Sequence, residues 1–153
     1  MHGSVTTWID APPAEVWEIV SDVTRIGELS PETFEAEWTH GASGPAVGAR
    51  FRGHVRRNGI GPVYWTPCTV TACVPGEEFA FSVYAGSAPI NTWHYGLEPA
   101  DGGTRITESF RLAPRGLTRA YWLLAGWHRS RANQRGMRAT LERAKEIAER
   151  GRV

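Results

Sequence analysis

The middle of the chain alternates large apolar and polar side chains, and this pattern constrains the fold most. Three segments carry it: Phe79-Ala-Phe-Ser-Val, Trp93-His-Tyr-Gly-Leu and Ile106-Thr-Glu-Ser-Phe. Strict alternation is typical of strands with one buried face, so the segments predict an antiparallel sheet with one apolar side. The only long cover for that side is a helix near the C-terminus. Because one helix rarely fills the concave side of a curved sheet, we expect an internal apolar cavity that binds a small hydrophobic molecule.

The bulk composition is that of an ordinary globular domain. A chain of 153 residues is long enough to bury a core, and we expect one ligand-binding domain over residues 1–153. Hydrophobic residues make up 41% and charged residues 22%, and the formal net charge is +1. This balance favours neither an acidic nor a basic partner, so we expect no nucleic acid to bind.

The sequence also bears on location. The N-terminus shows no secretory signal, and the apolar stretch 121–127 is far shorter than the ~20 residues of a membrane-spanning helix. Cys68 and Cys73 lie five positions apart in one predicted strand, which places them on opposite faces and disfavours a disulfide. We therefore expect a soluble, cytoplasmic protein without integral membrane association. A homodimer is compatible with the sequence.

The predicted elements follow a simple order. A first strand is followed by a helix that opens at Pro13 and Glu15 and is capped by Asp10 or a residue just after it, and by a short helical turn over 22–29. Strands and turns then continue to Leu112, and one helix dominates from about 117 to 150. The predicted strands cover 4–10, 34–38, 51–55, 64–74, 78–84, 91–97 and 104–112.

Several motifs add a family resemblance. They are Ile9-Asp-Ala-Pro-Pro-Ala-Glu-Val-Trp, the 22–32 connection, Val70 to Gly76, Trp93-His-Tyr-Gly-Leu-Glu-Pro, Gly103-Thr-Arg-Ile-Thr-Glu-Ser and Gly136-Met-Arg-Ala-Thr-Leu-Glu-Arg. With the element order, they resemble the START-like (SRPBCC) superfamily, most closely its polyketide cyclase/dehydrase branch. The resemblance implies an α+β helix-grip fold: a curved antiparallel sheet of about seven strands, two short helices and one long C-terminal helix around a cavity. That superfamily contains lipid carriers, hormone-binding proteins and ring-closing enzymes, so the resemblance does not select an activity.

The strand parity predicts which side chains line the cavity. From the sheet the candidates are Trp38, Phe51, Phe79, Phe81, Trp93, Tyr95, Ile106 and Phe110, joined by Phe34; from the helix they are Trp127, Asn133 and Met137. Asn133 lies one turn before Met137, where it can orient a polar end of the ligand. The alternatives are that the apolar residues pack into a solid core and that Asn133 is solvated.

Glu108 is the candidate for chemistry. It shares parity with Ile106 and Phe110, so alternation directs a carboxylate into the apolar interior, near Trp93 or Tyr95. Desolvation there raises a carboxyl pKa, and such a group can act as a general acid or base on a carbonyl or enol. The alternatives are a buried glutamate tied to a loop or helix, or one that reaches solvent.

Other reactive residue types give weaker signals. His94 and His54 fall on the outer face, and the histidines and cysteines show no metal-ligand spacing, so we expect no metal and no cofactor. Arginines accumulate in the helix region with no acid between Glu108 and Glu142. Such a run forms a solvated helix face or binds phosphate-rich partners or an anionic membrane surface.

Two functions follow from these observations. The first is binding of a hydrophobic small molecule, such as a lipid, polyketide or isoprenoid. The second is an enzyme that cyclises, aromatises or dehydrates a polyketide-like substrate, with Glu108 in proton transfer; a partner-binding module built on the arginine-rich helix is a third. For either of the first two we expect a closed cavity of roughly 300–1,000 Å³. We expect access past the 22–32 connection and the 86–90 loop.

Overall fold

A computed structural model describes residues 2–57, 60–113 and 116–150, apart from the side chains of 116–119, 121, 122 and 125. It confirms the α+β helix-grip fold, with seven strands and one long C-terminal helix. The elements in chain order are β1 (His2–Ile9), α1 (Pro13–Ser21), a 3-10 turn (Val23–Arg25), α2 (Ile26–Leu29), β2 (Thr33–Thr39), β3 (Arg50–Arg56), β4 (Val63–Val74), β5 (Glu78–Ala85), β6 (Ala88–Ala100), β7 (Gly103–Leu112) and α3 (Gly116–Glu149).

The strands form one antiparallel sheet in the order β1-β7-β6-β5-β4-β3-β2. Strands β2 to β7 pair with their neighbours in sequence, and β1 forms one edge of the sheet by pairing with β7. The β6–β7 hairpin turns at Asp101 and Gly102, whose φ angles of 50° and 79° suit the mirror-image turns that match strand twist. The register is regular here, so Glu108 lies opposite Tyr95 on one side and Val5 on the other.

The predicted faces of the two cysteines are wrong. A bulge between Val70 and Ala72 shifts the parity of β4, so that Cys68 pairs with Val83 and Cys73 with Phe79, both concave-face positions. The cysteines therefore share a face. Both are free thiols, as expected, because they lie five positions apart along one strand.

Helix α1 anchors one end of the concave side. Its apolar side chains from Val16 to Val20 are buried, and the Trp17 indole N–H donates a 2.9 Å hydrogen bond to the carbonyl of Glu78 at the start of β5. Of the predicted cap positions, Asp10 or a residue just after it, the structure has Pro12, which makes no side-chain bond. The helix begins at Pro13, as predicted, where the fixed φ of proline suits the first helical position.

Helix α3 has two different halves. Its C-terminal half packs along β1, where Met137 and Leu141 are buried and Lys145 donates to the carbonyl of Trp8. In its N-terminal half Leu123 and Trp127 are 87% and 66% exposed, so this half does not continue the buried apolar side of the helix. The exposure follows from the length of the helix. Met137 lies beside Gly3 at the start of β1, and Leu123 lies about 20 Å farther along the helix axis, beyond the sheet.

The two expected access segments are compact. Gly86 and Ser87 form a two-residue hairpin turn between β5 and β6, where we expected a five-residue loop. In the 22–32 connection, Val23 and Leu29 are buried and the turns pack against β2. Whether these segments open stays a prediction.

Candidate functional site

The concave face of the sheet is arranged in rows of side chains from neighbouring strands. Register places Val5, Glu108, Tyr95 and Phe79 in a polar-centred row, which we call the Glu108 row. The next row, which we call the aromatic row, contains Gly3, Phe110, Trp93 and Phe81. The row beyond it, which we call the Asn91 row, contains Leu112, Asn91, Val83, Cys68, Phe51 and Trp38.

Most of the predicted lining residues lie on this face. Phe51, Phe79, Phe81, Tyr95, Ile106 and Phe110 are buried, and Trp38 and Trp93 are half-buried. Their rings form two groups of contacts: Trp93 with Phe110, at 4.8 Å between centroids, and Phe51 with Phe81 and Trp38, at 5.1 Å and 5.7 Å. Strand pairing places Trp93 opposite Phe81 and so brings the two groups side by side. The two groups form an aromatic floor whose half-buried members, Trp93 and Trp38, lie in the aromatic and Asn91 rows.

Two of the proposed lining residues lie elsewhere. Trp127 projects from the exposed half of α3, where the Arg131 guanidinium lies 5.1 Å from its ring. Phe34 is 42% exposed because the register of β2 shifts between Thr33 and Glu35, and its ring contacts His54. Neither belongs to the concave face.

Glu108 lies inside, as parity predicts. Its side chain is buried, and its Oε1 accepts a 3.0 Å hydrogen bond from the Tyr95 hydroxyl. Its second oxygen, Oε2, is buried without a hydrogen-bond partner among the described residues. Burial raises the pKa of Glu108 to about 8, although the Tyr95 hydrogen bond acts in the opposite direction.

The protonation state of Glu108 follows from these contacts. With a pKa of about 8, the carboxyl carries its proton at neutral pH. Tyr95 donates to Oε1, and burial together with the neighbouring carboxyl raises the pKa of that phenol. The proton of Glu108 therefore belongs on Oε2, which becomes a hydrogen-bond donor facing the concave side.

Asn91 is a polar residue that our sequence analysis did not single out. Its Oδ1 is buried and, like Glu108 Oε2, has no hydrogen-bond partner among the described residues; no other buried side-chain polar atom of that part of the chain shares this condition. Asn91 pairs with Leu112 and Val83 on the concave face. The alternation along β6 could have identified it, because Asn91 has the same parity as Trp93 and Tyr95 and therefore lies on the concave face.

A pocket lies where α3 crosses the sheet, but it is much smaller than expected. Its volume is about 10 Å³, room for about one water molecule. The pocket is lined by His2, Gly3, Phe110, Ser130, Asn133, Gln134 and Met137. The predicted 300–1,000 Å³ is wrong for this pocket because the side chains of Met137 and Phe110, both buried, fill the space. Asn133 does border it, as its spacing from Met137 suggested.

A larger hollow of about 680 Å³ lies in the loop between β2 and β3. It is lined by residues 40–50 alone, and most of these are glycine, alanine, serine and proline. One loop of small side chains supplies neither the aromatic surface nor the buried polar groups found on the concave face. We therefore place the candidate site on the concave face.

The outer face shows the predicted surface histidines. His94 Nε2 lies 3.0 Å from Glu78 Oε2, and the His54 ring stacks on Trp65 at 4.2 Å between centroids. Within residues 2–57, 60–113 and 116–150, no three histidine, cysteine or acidic side chains are grouped to hold a metal ion. Over the same part of the chain, no helix combines the length and apolarity needed to span a membrane.

Comparison with known proteins identifies the family. Residues 2–149 match the family described as polyketide cyclase / dehydrase and lipid transport. The chain is 30% identical to the Polyketide_cyc-like protein Cgl2372 from Corynebacterium glutamicum, over 97% of this chain and 91% of that one, with a TM-score of 0.67. None of the curated proteins matches the sequence.

Two more distant structures share the fold. DR_A0006 from Deinococcus radiodurans is 17% identical, with 97% and 98% of the two chains covered and a TM-score of 0.68. The di-domain ARO/CYC StfQ from the steffimycin biosynthetic pathway is 14% identical with a TM-score of 0.79, and the match covers 99% of this chain and 52% of StfQ. From the family match and the 30% identical relative, the chain belongs to the polyketide cyclase/dehydrase and lipid transport family.

Proposed function

We propose that this protein binds a hydrophobic small molecule on the concave face, with the aromatic row as the floor of the site. The observation that carries the proposal is the pair of buried, unpartnered polar atoms, Glu108 Oε2 and Asn91 Oδ1. They flank the aromatic row, one in the row on either side of it. The rest of the face in these three rows is almost entirely apolar.

The energetics of these two atoms favour a ligand. A buried polar group without a partner costs about 1–3 kcal/mol, so such groups are rare in folded proteins and call for an explanation. A ligand that lies along Trp93 and Phe110 reaches both atoms. Protonated Glu108 donates to a carbonyl or ether oxygen of the ligand, and Asn91 Oδ1 accepts from a ligand hydroxyl. Oxygenated lipids, polyketides and isoprenoids have this chemistry.

Binding requires more space than the 10 Å³ pocket. Met137 is the side chain best suited to provide it, because methionine is unbranched and repacks easily. It lies on α3 between Phe110 and Gly3, so a change of its rotamer opens the pocket toward the aromatic row. Asn133 then borders the widened site.

A second candidate function is enzymatic, and the raised pKa of Glu108 favours it. A carboxyl group with a pKa of about 8 is poised for proton transfer near neutral pH. In this reading Glu108 protonates a substrate carbonyl or enol during cyclisation, aromatisation or dehydration, and the aromatic floor fixes the folding of the substrate. The 14% identical StfQ, described as an ARO/CYC, shares this fold.

Native mass spectrometry of the purified protein tests the binding function. We expect a co-purified hydrophobic molecule that survives gentle ionisation and is released by organic solvent. Glu108→Gln separates the two candidates once the molecule is known. In an enzyme, turnover falls ~100-fold or more while affinity is nearly unchanged. In a binding protein only the affinity changes, by about one hydrogen bond.

A further inference from the structure

The N-terminal half of α3 exposes large apolar side chains within little more than one helical turn. Leu123, Leu124 and Trp127 are 87%, 86% and 66% exposed. Single exposed apolar residues are common on protein surfaces, but a contiguous group is typical of an interaction site. This group lies beyond the start of β1, where no described strand covers it.

Three arginines continue the same side of the helix. Arg131 and Arg135 follow Trp127 at intervals of four residues, and Arg138 follows Arg131 by seven, so all lie on one face. All three are exposed, and the Arg131 guanidinium lies 5.1 Å from the Trp127 ring. The sequence contains no acidic residue between Glu108 and Glu142. We call Leu123, Leu124, Trp127, Arg131, Arg135 and Arg138 together the α3 surface.

We propose that the α3 surface binds the surface of an anionic lipid membrane. Leu123, Leu124 and Trp127 enter the boundary between headgroups and acyl chains, and the arginines bind lipid phosphates. Exposed apolar side chains beside a cationic stripe are the usual composition of a helix that lies in the membrane interface. The contact is peripheral.

Charge favours this occupant over two others. If the α3 surface folded onto the concave face of its own sheet, Arg131 and Arg135 would be brought toward an apolar floor, at a high desolvation cost. If it paired with the same surface of a second copy, like charges would face each other. A membrane that contains acidic lipids supplies both an apolar layer and phosphate groups.

Vesicle sedimentation tests the proposal with matched variants. The probes are vesicles of phosphatidylcholine alone and of phosphatidylcholine mixed with phosphatidylglycerol. One variant is Leu123→Ser/Leu124→Ser/Trp127→Ser, and the other is Arg131→Gln/Arg135→Gln/Arg138→Gln. The control is Trp65→Ser/Arg52→Gln, because Arg52 lies 4.2 Å over the exposed Trp65 ring on the outer face and reproduces the same residue pair elsewhere.

We expect the unchanged protein and the control to sediment with the mixed vesicles at low salt. Each arginine near an anionic surface contributes about fivefold to binding, so the arginine variant should bind roughly 100-fold more weakly. The serine variant should lose at least this factor, because all three apolar side chains then stay out of the membrane. Urea unfolding of the variants should match that of the unchanged protein, because the substituted side chains are exposed.

Three results would overturn the proposal. The first is equal sedimentation with both kinds of vesicle. The second is mixed-vesicle binding that neither triple variant weakens more than the control does. The third is a dimer in solution that the serine variant dissociates, which would assign the α3 surface to a second copy of the chain.

Discussion

The two ends of the concave face have the same kind of side chains but different packing. At the end under α1 and the C-terminal half of α3, Phe79, Ile106 and Val16 are fully buried. At the other end, Trp38 and Trp93 are half-buried, and Asn91 Oδ1 has no hydrogen-bond partner among the described residues. The first end has the properties of a core, and the second has those of a site. One alternating sheet therefore combines a packed core with the candidate site.

The path of α3 explains the difference. Its C-terminal half follows β1 and holds the core end through Leu141 and Ala144, and Glu149 accepts a hydrogen bond from the Asp10 backbone. Toward its N-terminus the helix contacts the 22–32 connection, where Arg129 pairs with Glu32, and the side chains of Leu123, Leu124 and Trp127 are exposed. The Glu108 row borders the core end: Phe79 and Glu108 are buried in it, but Glu108 Oε2 has no hydrogen-bond partner among the described residues.

Glu108, which lies between the packed core and the candidate site, should make the free energy of unfolding depend on pH. Its pKa of about 8 in the folded protein lies above the ordinary value of 4.5, so the folded state holds this proton more tightly than the unfolded state. The protonated Glu108 carboxyl makes its full contribution to the free energy of unfolding below about pH 4.5, and this contribution is lost as the pH rises toward 8. The loss is on the order of 5 kcal/mol at 1.36 kcal/mol per pKa unit.

Urea unfolding from about pH 5 to pH 8.5 measures this effect as the difference between the unchanged protein and Glu108→Gln. Glutamine cannot ionise, so the difference should grow with pH in favour of the variant. A difference that stays constant with pH would show that Glu108 has an ordinary pKa and is therefore exposed to solvent, not buried.

Phe79→Ala and Trp93→Ala compare the two ends directly. Phe79 is fully buried, so its truncation should cost about 3–5 kcal/mol. Trp93 is half-buried, and its truncation should cost roughly half as much while weakening ligand binding. Denaturant unfolding of both variants gives the values. Equal costs would mean that both ends are core.

Leucine substitutions compare the two halves of α3. Leu141→Ala removes a buried contact and should cost about 2–5 kcal/mol. Leu123→Ala changes an exposed position and should alter the free energy of unfolding by less than about 0.5 kcal/mol. A large cost at Leu123 would contradict the placement of the N-terminal half beyond the sheet.

Thiol reactivity gives the smallest expected difference. Burial raises the pKa of Cys68 to about 12, whereas Cys73 is half-buried with a smaller upward shift from the same cause. Ellman's reagent should therefore modify Cys73 first and Cys68 only on unfolding, because the thiolate is the reactive form. Faster modification of Cys68 would indicate that its row opens to solvent.

Alternation was sufficient to predict the strands, most of their faces and the inward direction of Glu108, with Trp93 or Tyr95 left open as its neighbour across the hairpin. It failed where a local irregularity changes parity, as in β4, where a bulge brings Cys68 and Cys73 onto one face. It also failed for Trp127, because helical periodicity identifies a side of α3 but not how far the sheet extends beneath it. The cavity volume depends on how Met137 and Phe110 fill the space, which no periodicity encodes.

In the proposed complex, Glu108 and Asn91 hold the two ends of a hydrophobic ligand across the aromatic row. The most direct test measures the affinities of 4-acetyl-4′-hydroxybiphenyl and 4-acetylbiphenyl by calorimetry, with the unchanged protein and with Asn91→Leu. We expect the hydroxyl to improve affinity about tenfold in the unchanged protein and not at all in the variant. Failure of both probes to bind, or the same hydroxyl preference in Asn91→Leu, would contradict it.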